Sequence, residues 1–482
     1  MTSIQELPNE LLEKIFYEAD VQNTTRSQQV SKQFHDVIVV SALIQYKIAL
    51  INEGFEDRTH SPEGRSIGER LDSLRSRRSA WRMLQPTARR KITIPRYSLH
   101  LETRSHFAWA DGLNAKQLHV LQIPSVYRGL QEKEWVVKLP GVRLVDERFA
   151  AMEPDEDLLA IDTNSDEQWF ISLRSLTTGE DHPDARIPEL PPIVIGHLGG
   201  LGRLSVSGNY LALDRFEDRG DYRYLHIYNW KTGELLFLCD GQYEPFELID
   251  QYVLIAHSSV DGEFTVVSVI DLPTLSPILD PNQYTIGWET GYTEYERIAL
   301  AQYCLPTNSG STHRIHVASH PRPPKSRAPT TPIFYPDPLC YQDYRIVIIE
   351  MSEHSLVVPW SSILRIICSR DALGATLAQC LNWEELAPEG FRVMPRNDET
   401  PLPSVKGVSA LNMRRGEAGP LDVRLYDHDS LKSFVRRMEK AVFDESDFEY
   451  EVLMLGDDGV VLGQVPKAQD YEAECEYHIL SF

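Results

Sequence analysis

The chain has 482 residues, 42% of them hydrophobic and 25% charged, with a formal charge of −23. That length supports roughly two to four hydrophobic cores, and the composition is that of an ordinary globular protein. The acidic balance argues against broad nucleic-acid affinity, which relies on clustered Lys and Arg, and disfavours anionic membranes.

Six cysteines, Cys239, Cys304, Cys340, Cys368, Cys380 and Cys475, are scattered without a Cys-x-x-Cys spacing. Reduced thiols are expected, and Met1–Glu6 lacks the basic-then-apolar pattern of a signal peptide. No run approaches the ~20 apolar residues of a membrane span. The expectation is an intracellular protein, with cytosol and nucleus not distinguished.

The amino-terminal segment reads Leu7-Pro8-Asn9-Glu10-Leu11-Leu12-Glu13-Lys14-Ile15-Phe16. Proline at a first helical position costs no hydrogen bond, because that amide has no intrahelical partner. Leu11, Leu12, Ile15 and Phe16 recur at i, i+1, i+4 and i+5, a stripe wider than one packing seam. One flank serves the segment's own core, and the other needs a second surface. A polar stretch, Asn23–Gln29, weakens the second helix, and Val30-Ser31-Lys32-Gln33-Phe34 supplies the next apolar cluster.

These residues resemble the F-box, whose pattern is Leu-Pro-x-Glu-Leu-Leu-x-x-Ile-Phe followed by Val-Ser/Cys-Lys-x-Phe/Trp. The resemblance spans about residues 4 to 48. It implies a three-helix unit that docks on a Skp1-type adaptor and so joins a cullin-RING ubiquitin ligase. It implies that Leu7, Pro8, Leu11, Ile15 and Val30 contribute to the adaptor surface, with Leu12, Phe16 and Phe34 nearer the core. The alternative is a helical hairpin packed on its own domain.

Ser41–Asn52 continues as an apolar helix, Glu53–Gly64 reads as a loop, and Ser66–Leu84 reads as a long helix. Residues 65 to 91 hold nine Lys/Arg against two Asp/Glu. This is either a docking face for an acidic partner or a solvated face drawn to the acidic remainder of the chain; the second reading is favoured.

From Lys91 the period changes to short apolar or alternating runs broken by Gly, Pro, Asn and Asp. Runs at 92–94, 118–123, 135–137, 158–161, 169–173, 210–213, 225–228, 252–255 and 265–270 predict many short strands. Similar segments recur around positions 123, 176, 230 and 272, with spacings of 53, 54 and 42. A recurrence of about 40 to 50 residues is the mark of four-stranded blades. The Asn229-Trp230-Lys231-Thr232-Gly233 turn resembles that of WD40-like propellers, without their recurring Gly-His and Trp-Asp signatures. About seven blades are expected, closed by pairing Tyr477–Phe482 with a strand near 91–101. An open two-sheet sandwich is the competing architecture. Residues 321–338 hold seven prolines and predict an extended, exposed loop rather than a ladder strand.

The organisation is therefore an α+β multidomain chain: an F-box-like helical domain at 1–48, a helical linker at 49–90, and a mainly-β propeller-like domain at 91–482. Catalytic motifs are lacking. Gly196–Gly202 has no Lys-Ser/Thr ending and reads as a loop between blades. His313 and His316 face opposite sides of a strand and do not share a metal; with His320 they read as surface histidines. Asp155-Glu156-Asp157 and Asp457-Asp458-Gly459 fit hairpin turns. The acidic segment from Asp444 reads as a folded rim, facing solvent or a basic partner.

The leading expectation is a non-enzymatic substrate adaptor of a Skp1–cullin–F-box ligase. It has no cofactor and no metal, and it binds an unidentified protein target through the β-domain. The alternatives are a propeller hydrolase or glycosidase with a helical packing element, and an F-box scaffold without a ligase role.

Overall fold

A computed structural model describes residues 4–53, 55–57, 65–83, 85–95, 98–103, 105–110, 115–127, 129–139, 150–165, 168–190, 203–216, 223–241, 246–258, 265–279, 298–305, 312–318, 334–336, 346–351, 354–360, 362–365, 367, 380–382, 392–395, 404–406, 409–415, 421–427, 433–437, 449–455, 459–465 and 474–481. Five helices come first: α1 Asn9–Glu18, α2 Val21–Ser27, α3 Lys32–Val40, α4 Ala42–Glu53 and α5 Ile67–Met83. Beyond them the chain is mainly β.

Each later helix begins at a side chain that takes an otherwise unpaired amide. The Asp20 carboxylate accepts the Asn23 amide at 2.7 Å, Ser31 Oγ that of Phe34 at 3.2 Å, and Ser41 Oγ that of Ile44 at 3.2 Å. In α5, Ser66 Oγ accepts the Glu69 amide while Glu69 accepts the Ser66 amide at 2.7 Å, a reciprocal capping box. Asp20 explains why a segment as polar as Asn23–Gln29 still holds α2 through Ser27. The backbone amide of Asn23 in turn holds the Asp20 carboxyl below its ordinary range.

Among the described residues, seven sheets of four or five strands follow one another along the chain. The first contains His100–Glu102, His106–Trp109, Gln117–Gln122 and Lys133–Lys138, all antiparallel. The second (Ala150 to Leu190) and third (Arg203 to Gly241) repeat this up-and-down order. The fourth runs from Phe246 to Cys304 and gains a parallel fifth strand, Cys380–Asn382. The fifth (Thr312 to Pro395) and sixth (Ser404 to Arg437) come after it. The seventh joins both ends of the β-region: Glu449–Leu455, Gly459–Val465 and Glu474–Ser481 are completed by Ala88–Pro95, with Ile92 opposite Tyr477.

The recurrence at 123, 176, 230 and 272 has one structural cause. Each of these residues directly follows the third strand of its sheet, and each donates its backbone N–H to the residue directly before the second strand. The bonds are Ile123 to Ser105 at 2.8 Å, Leu176 to Asp157 at 2.7 Å, Trp230 to Asn209 at 3.1 Å and Leu272 to Gln251 at 2.9 Å. All four side chains are buried. Each lies in the core shared with the preceding sheet: Leu176 with Leu118 and Val137, Trp230 with Leu158 and Leu173, Leu272 with Ile227 and Phe237. Ile123 lies in the core that the first sheet shares with Ile94, Val461 and Ile479 of the seventh.

The acidic turn Asp155–Asp157 is a fastening. Asp157 accepts Ser175 Oγ at 2.6 Å, the Thr177 amide at 2.8 Å and Thr177 Oγ1 at 2.6 Å. Glu156 takes Lys231 Nζ at 2.7 Å from the third sheet.

Four expectations are corrected. The Glu53–Gly64 loop contains a strand, Phe55–Asp57, and the proline-rich segment contributes Phe334–Pro336 as its antiparallel partner. Three residues are too few to show a period, and proline is tolerated on such an edge. Pro8 directly precedes α1 rather than opening it; its carbonyl accepts the amides of Leu11 and Leu12. The boundary drawn after residue 48 falls inside α4. Gly196–Gly202, Asp457, Asp458 and His320 lie outside the described residues. Thr312–Ala318 is a strand, with an irregular register between Thr312 and Arg314.

Gly179 occupies a left-handed turn at φ +78°, where a Cβ would stand 2.1 Å from the Lys138 carbonyl. Gly179→Ala is expected to cost about 1–3 kcal/mol, combining backbone strain and a clash with main chain, read as a lowered urea midpoint for the β-domain. Burial, aided by the Lys133 charge, pushes His106 from its ordinary 6.5 to about 4. Its neutral form is favoured on folding, so the unfolded chain binds more protons in that window. Stability present above about pH 6.5 is expected to fall as the pH drops towards 4. His106→Gln should flatten that stretch of the pH–stability curve measured by thermal unfolding.

Candidate adaptor-binding face

Helices α1, α3 and α4 enclose a small core of Leu12, Phe16, Phe34, Val37, Ile38 and Ile44, with Leu7 and Ile48 partly buried against it. The Phe16 and Phe34 rings meet edge-on, centroids 5.1 Å apart. Thr24 of α2 is buried, and its hydroxyl donates to the Phe16 carbonyl at 3.0 Å. Lys47 of α4 donates to the carbonyls of Tyr17 and Ala19 at the end of α1, where a cation meets the negative end of the helix. Ser41 Oγ donates to Glu13, and Gln33 Nε2 reaches Asn9 Oδ1 at 3.3 Å.

With this core filled, α1 retains an apolar flank that its own fold leaves in water. Leu11 is 48% exposed and Ile15 42%, one turn apart, and Val30 is 66% exposed between α2 and α3. Pro8 is exposed. The eight residues singled out in the sequence thus divide in three. Leu12, Phe16 and Phe34 are buried, Leu7 is intermediate, and Pro8, Leu11, Ile15 and Val30 face outward. Sequence reasoning missed Val39 and Val40, exposed at 47% and 82% at the end of α3. The run Val37-Ile38-Val39-Val40 carried that signal, since four consecutive apolar residues cannot all face one side of a helix.

A second cluster, Tyr46, Leu50, Phe55, Leu71 and Leu74, joins α4 to α5. At its edge Asp57 accepts Tyr46 Oη at 3.1 Å and Arg70 at 2.8 Å. Burial and the Asp57 charge push the Tyr46 phenol up.

Four of the nine cations in the basic run meet carboxylates of the chain itself. Arg70 faces Asp57, Arg78 faces Glu53, Arg90 faces Glu132 and Glu134, and Lys91 faces Glu476. Among the described residues no group of His, Cys, Asp and Glu is arranged to hold a metal, and no single helix is long and apolar enough to cross a membrane.

No family model matches the chain, and no curated protein sequence matches it. Solved structures that it resembles include the WD40 domain of SCAP from fission yeast, at 12% identity and TM-score 0.34, covering 82% of this chain and 98% of that one. The β-propeller domain of the Trilobed protease from Pyrococcus furiosus is 10% identical with TM-score 0.26, covering 77% and 93%. A prolyl endopeptidase is 10% identical with TM-score 0.38, covering 79% of this chain. The chain spans about half the length of that peptidase (47%).

The burial pattern separates two kinds of substitution. Leu12→Ala is expected to cost about 2–5 kcal/mol through the cavity it leaves, read as faster amide exchange in α1 and α3 of the full chain. Leu11→Asp with Ile15→Asp should leave that exchange pattern within about 0.5 kcal/mol of the original, since both sites face water.

Proposed function

We propose that the chain is a substrate-recruiting subunit of a Skp1–cullin–F-box type ubiquitin ligase, with α1–α3 as the adaptor-binding unit. The observation that carries this reading is the outward apolar flank of Leu11, Ile15 and Val30, beside a core already filled by Leu12, Phe16 and Phe34. Leu11 and Ile15 lie one turn apart on α1, and apolar side chains left in water on one face are what an interaction site offers. The F-box resemblance supplies the partner's identity, a Skp1-type adaptor, and through it a cullin-RING ligase. Such a subunit does no covalent chemistry and needs no cofactor. It raises the effective concentration of a held target near the ubiquitin-charged enzyme.

The target-binding end in this reading is a seven-bladed propeller. Its support is the succession of seven sheets, the four shared cores that join the first five in order, and the core that the seventh shares with the first. A ring is also the arrangement that spares so many strands from exposing edges. The target itself is a protein bound at one mouth of that ring.

The test is a pull-down of the full chain with purified Skp1-type adaptor. Capture that falls about 100-fold or more in Leu11→Asp/Ile15→Asp is expected, because two hot-spot losses of about 1.5 kcal/mol each multiply. Undiminished capture by that double variant, with helical exchange protection retained, overturns the interface.

A further inference from the structure

A hollow of about 180 Å³ lies between α4 and α5. Its α4 wall holds Gln45, Ile48, Ala49 and Asn52, which share one helix face through their spacing of i, i+3, i+4 and i+7. Leu74, 1% exposed, closes the floor from α5. The space lies where the two small cores of the helical module meet. Ile48 packs against the core of α1, α3 and α4, while Ala49 and Leu74 belong with the core around Phe55. Ala49 brings only a methyl group to that seam, which leaves it unfilled. Size limits the occupant: the hollow exceeds the ~150 Å³ that holds a benzene ring and falls short of the ~300 Å³ at which small-molecule pockets begin. It takes one apolar side chain.

The rim of the hollow is cationic and already ordered. Arg75 Nη2 donates to Gln45 Oε1 at 3.3 Å, and Gln45 Nε2 donates in turn to the Ile38 carbonyl of α3 at 3.1 Å. Arg75 is exposed, and among the described residues no carboxylate faces it. Arg78, one turn on, is tied through Nε to Glu53 at 3.0 Å. A guanidinium carries five N–H donors, so both arginines keep donors for a visitor. Their ties hold two long side chains near one geometry in advance, which lowers the ordering cost of binding. We propose that this hollow binds a short acidic segment of a partner protein, with an aliphatic side chain seated over Ile48, Ala49 and Leu74 and an adjacent Asp or Glu held by Arg75 and Arg78. Charge complementarity selects that occupant. Helix α5 carries five arginines, at 70, 75, 77, 78 and 82, against Glu69 and Asp72, and the planar guanidinium fork matches a carboxylate. The lining holds no aromatic platform on which a nucleic-acid base could stack. Leu11, Ile15 and Val30 lie outside the hollow, so the site is independent of the adaptor reading.

The test passes two libraries of short peptides over the immobilised full chain and counts the retained peptides by mass spectrometry. Both carry a central Leu, Ile, Val or Met; one flanks it with Asp and Glu, the other with the isosteric Asn and Gln. Retention of the acidic library about tenfold or more above the neutral one is expected, as is a fall of about tenfold in Arg75→Gln. Ala49→Leu fills the hollow without changing its charge and should lower retention to a similar extent. Arg26→Gln, which removes an exposed cation from α2, and Leu11→Asp/Ile15→Asp should both retain the acidic library in full. Equal retention of the two libraries overturns the site. So does acidic retention that survives both Arg75→Gln and Ala49→Leu in chains of unaltered circular dichroism, or that falls equally in Arg26→Gln. A mixed-sequence single-stranded oligonucleotide retained in place of the acidic peptides, and lost in Arg75→Gln, overturns the peptide assignment.

Discussion

One backbone hydrogen bond recurs through the first four sheets of the β-domain. A residue leaving the third strand is buried by its apolar side chain, so its N–H has no access to water and must find a carbonyl. It finds one at the turn between the first two strands. Ile123, Leu176, Trp230 and Leu272 all solve the problem this way, and Trp230 adds a second bond from Nε1 to Gly208 at 2.7 Å. The bond extends the ladder between the second and third strands by one residue beyond its last pair, and the side chain at that position packs against the neighbouring sheet. The path of the next few residues is then forced. The chain must turn at once, and in two sheets it does so three residues later through Gly179 and Gly233, at φ +78° and +79°. There the turn lies against the preceding sheet, too close for a side chain: a Cβ on Gly233 would come within 2.8 Å of Ile187.

The helical module obeys the opposite economy. Its core is small, and a unit of this size buries too little apolar area to cover every apolar residue it carries. Each helix is placed by a cap or a polar tie, Asp20, Ser31, Ser41 and Lys47 among them. Packing alone does not place it. The consequence is a unit whose inner flank is complete and whose outer flank, with Leu11 and Ile15, remains in water.

Much of this was legible in the sequence, and the exceptions share a cause. Strands from Ile92 to Ile270 were readable because alternation and tight turns are local signals; the last strand's alternation pointed to a partner near 91–101, and the strand it pairs with is Ala88–Pro95. The four recurrent positions were visible although their hydrogen bond was not. Leu12, Phe16 and Phe34 are buried beside exposed Leu11 and Ile15, the division that the F-box resemblance implies. Illegible features depend on partners distant in the chain. Nothing near Phe55 indicates that Phe334–Pro336 will pair with it. Asp157 reads as a turn residue, but Ser175 and Thr177, which fasten it, lie a strand away. The polar composition of α2 reads as a weakened second helix, and one cap, Asp20, and one buried hydroxyl, Thr24, offset that weak propensity.

Charge placement shows why local sequence sign is a poor guide to surface sign. Residues 65 to 91 look like a cationic stretch in a chain of net charge −23, as if reserved for an acidic visitor. The fold gives Arg70, Arg78, Arg90 and Lys91 carboxylates of the chain itself. Pairs as exposed as these contribute little stability singly. Their effect is on the field: each removes a cation that would otherwise attract a polyanion. Arg90 and Lys91 also join different sheets and strands, Arg90 tying the seventh sheet to Glu132 and Glu134 beside the first. The basic run is thus divided: Arg70 and Arg78 meet carboxylates within the helical module, while Arg90 and Lys91 help join the two ends of the β-domain.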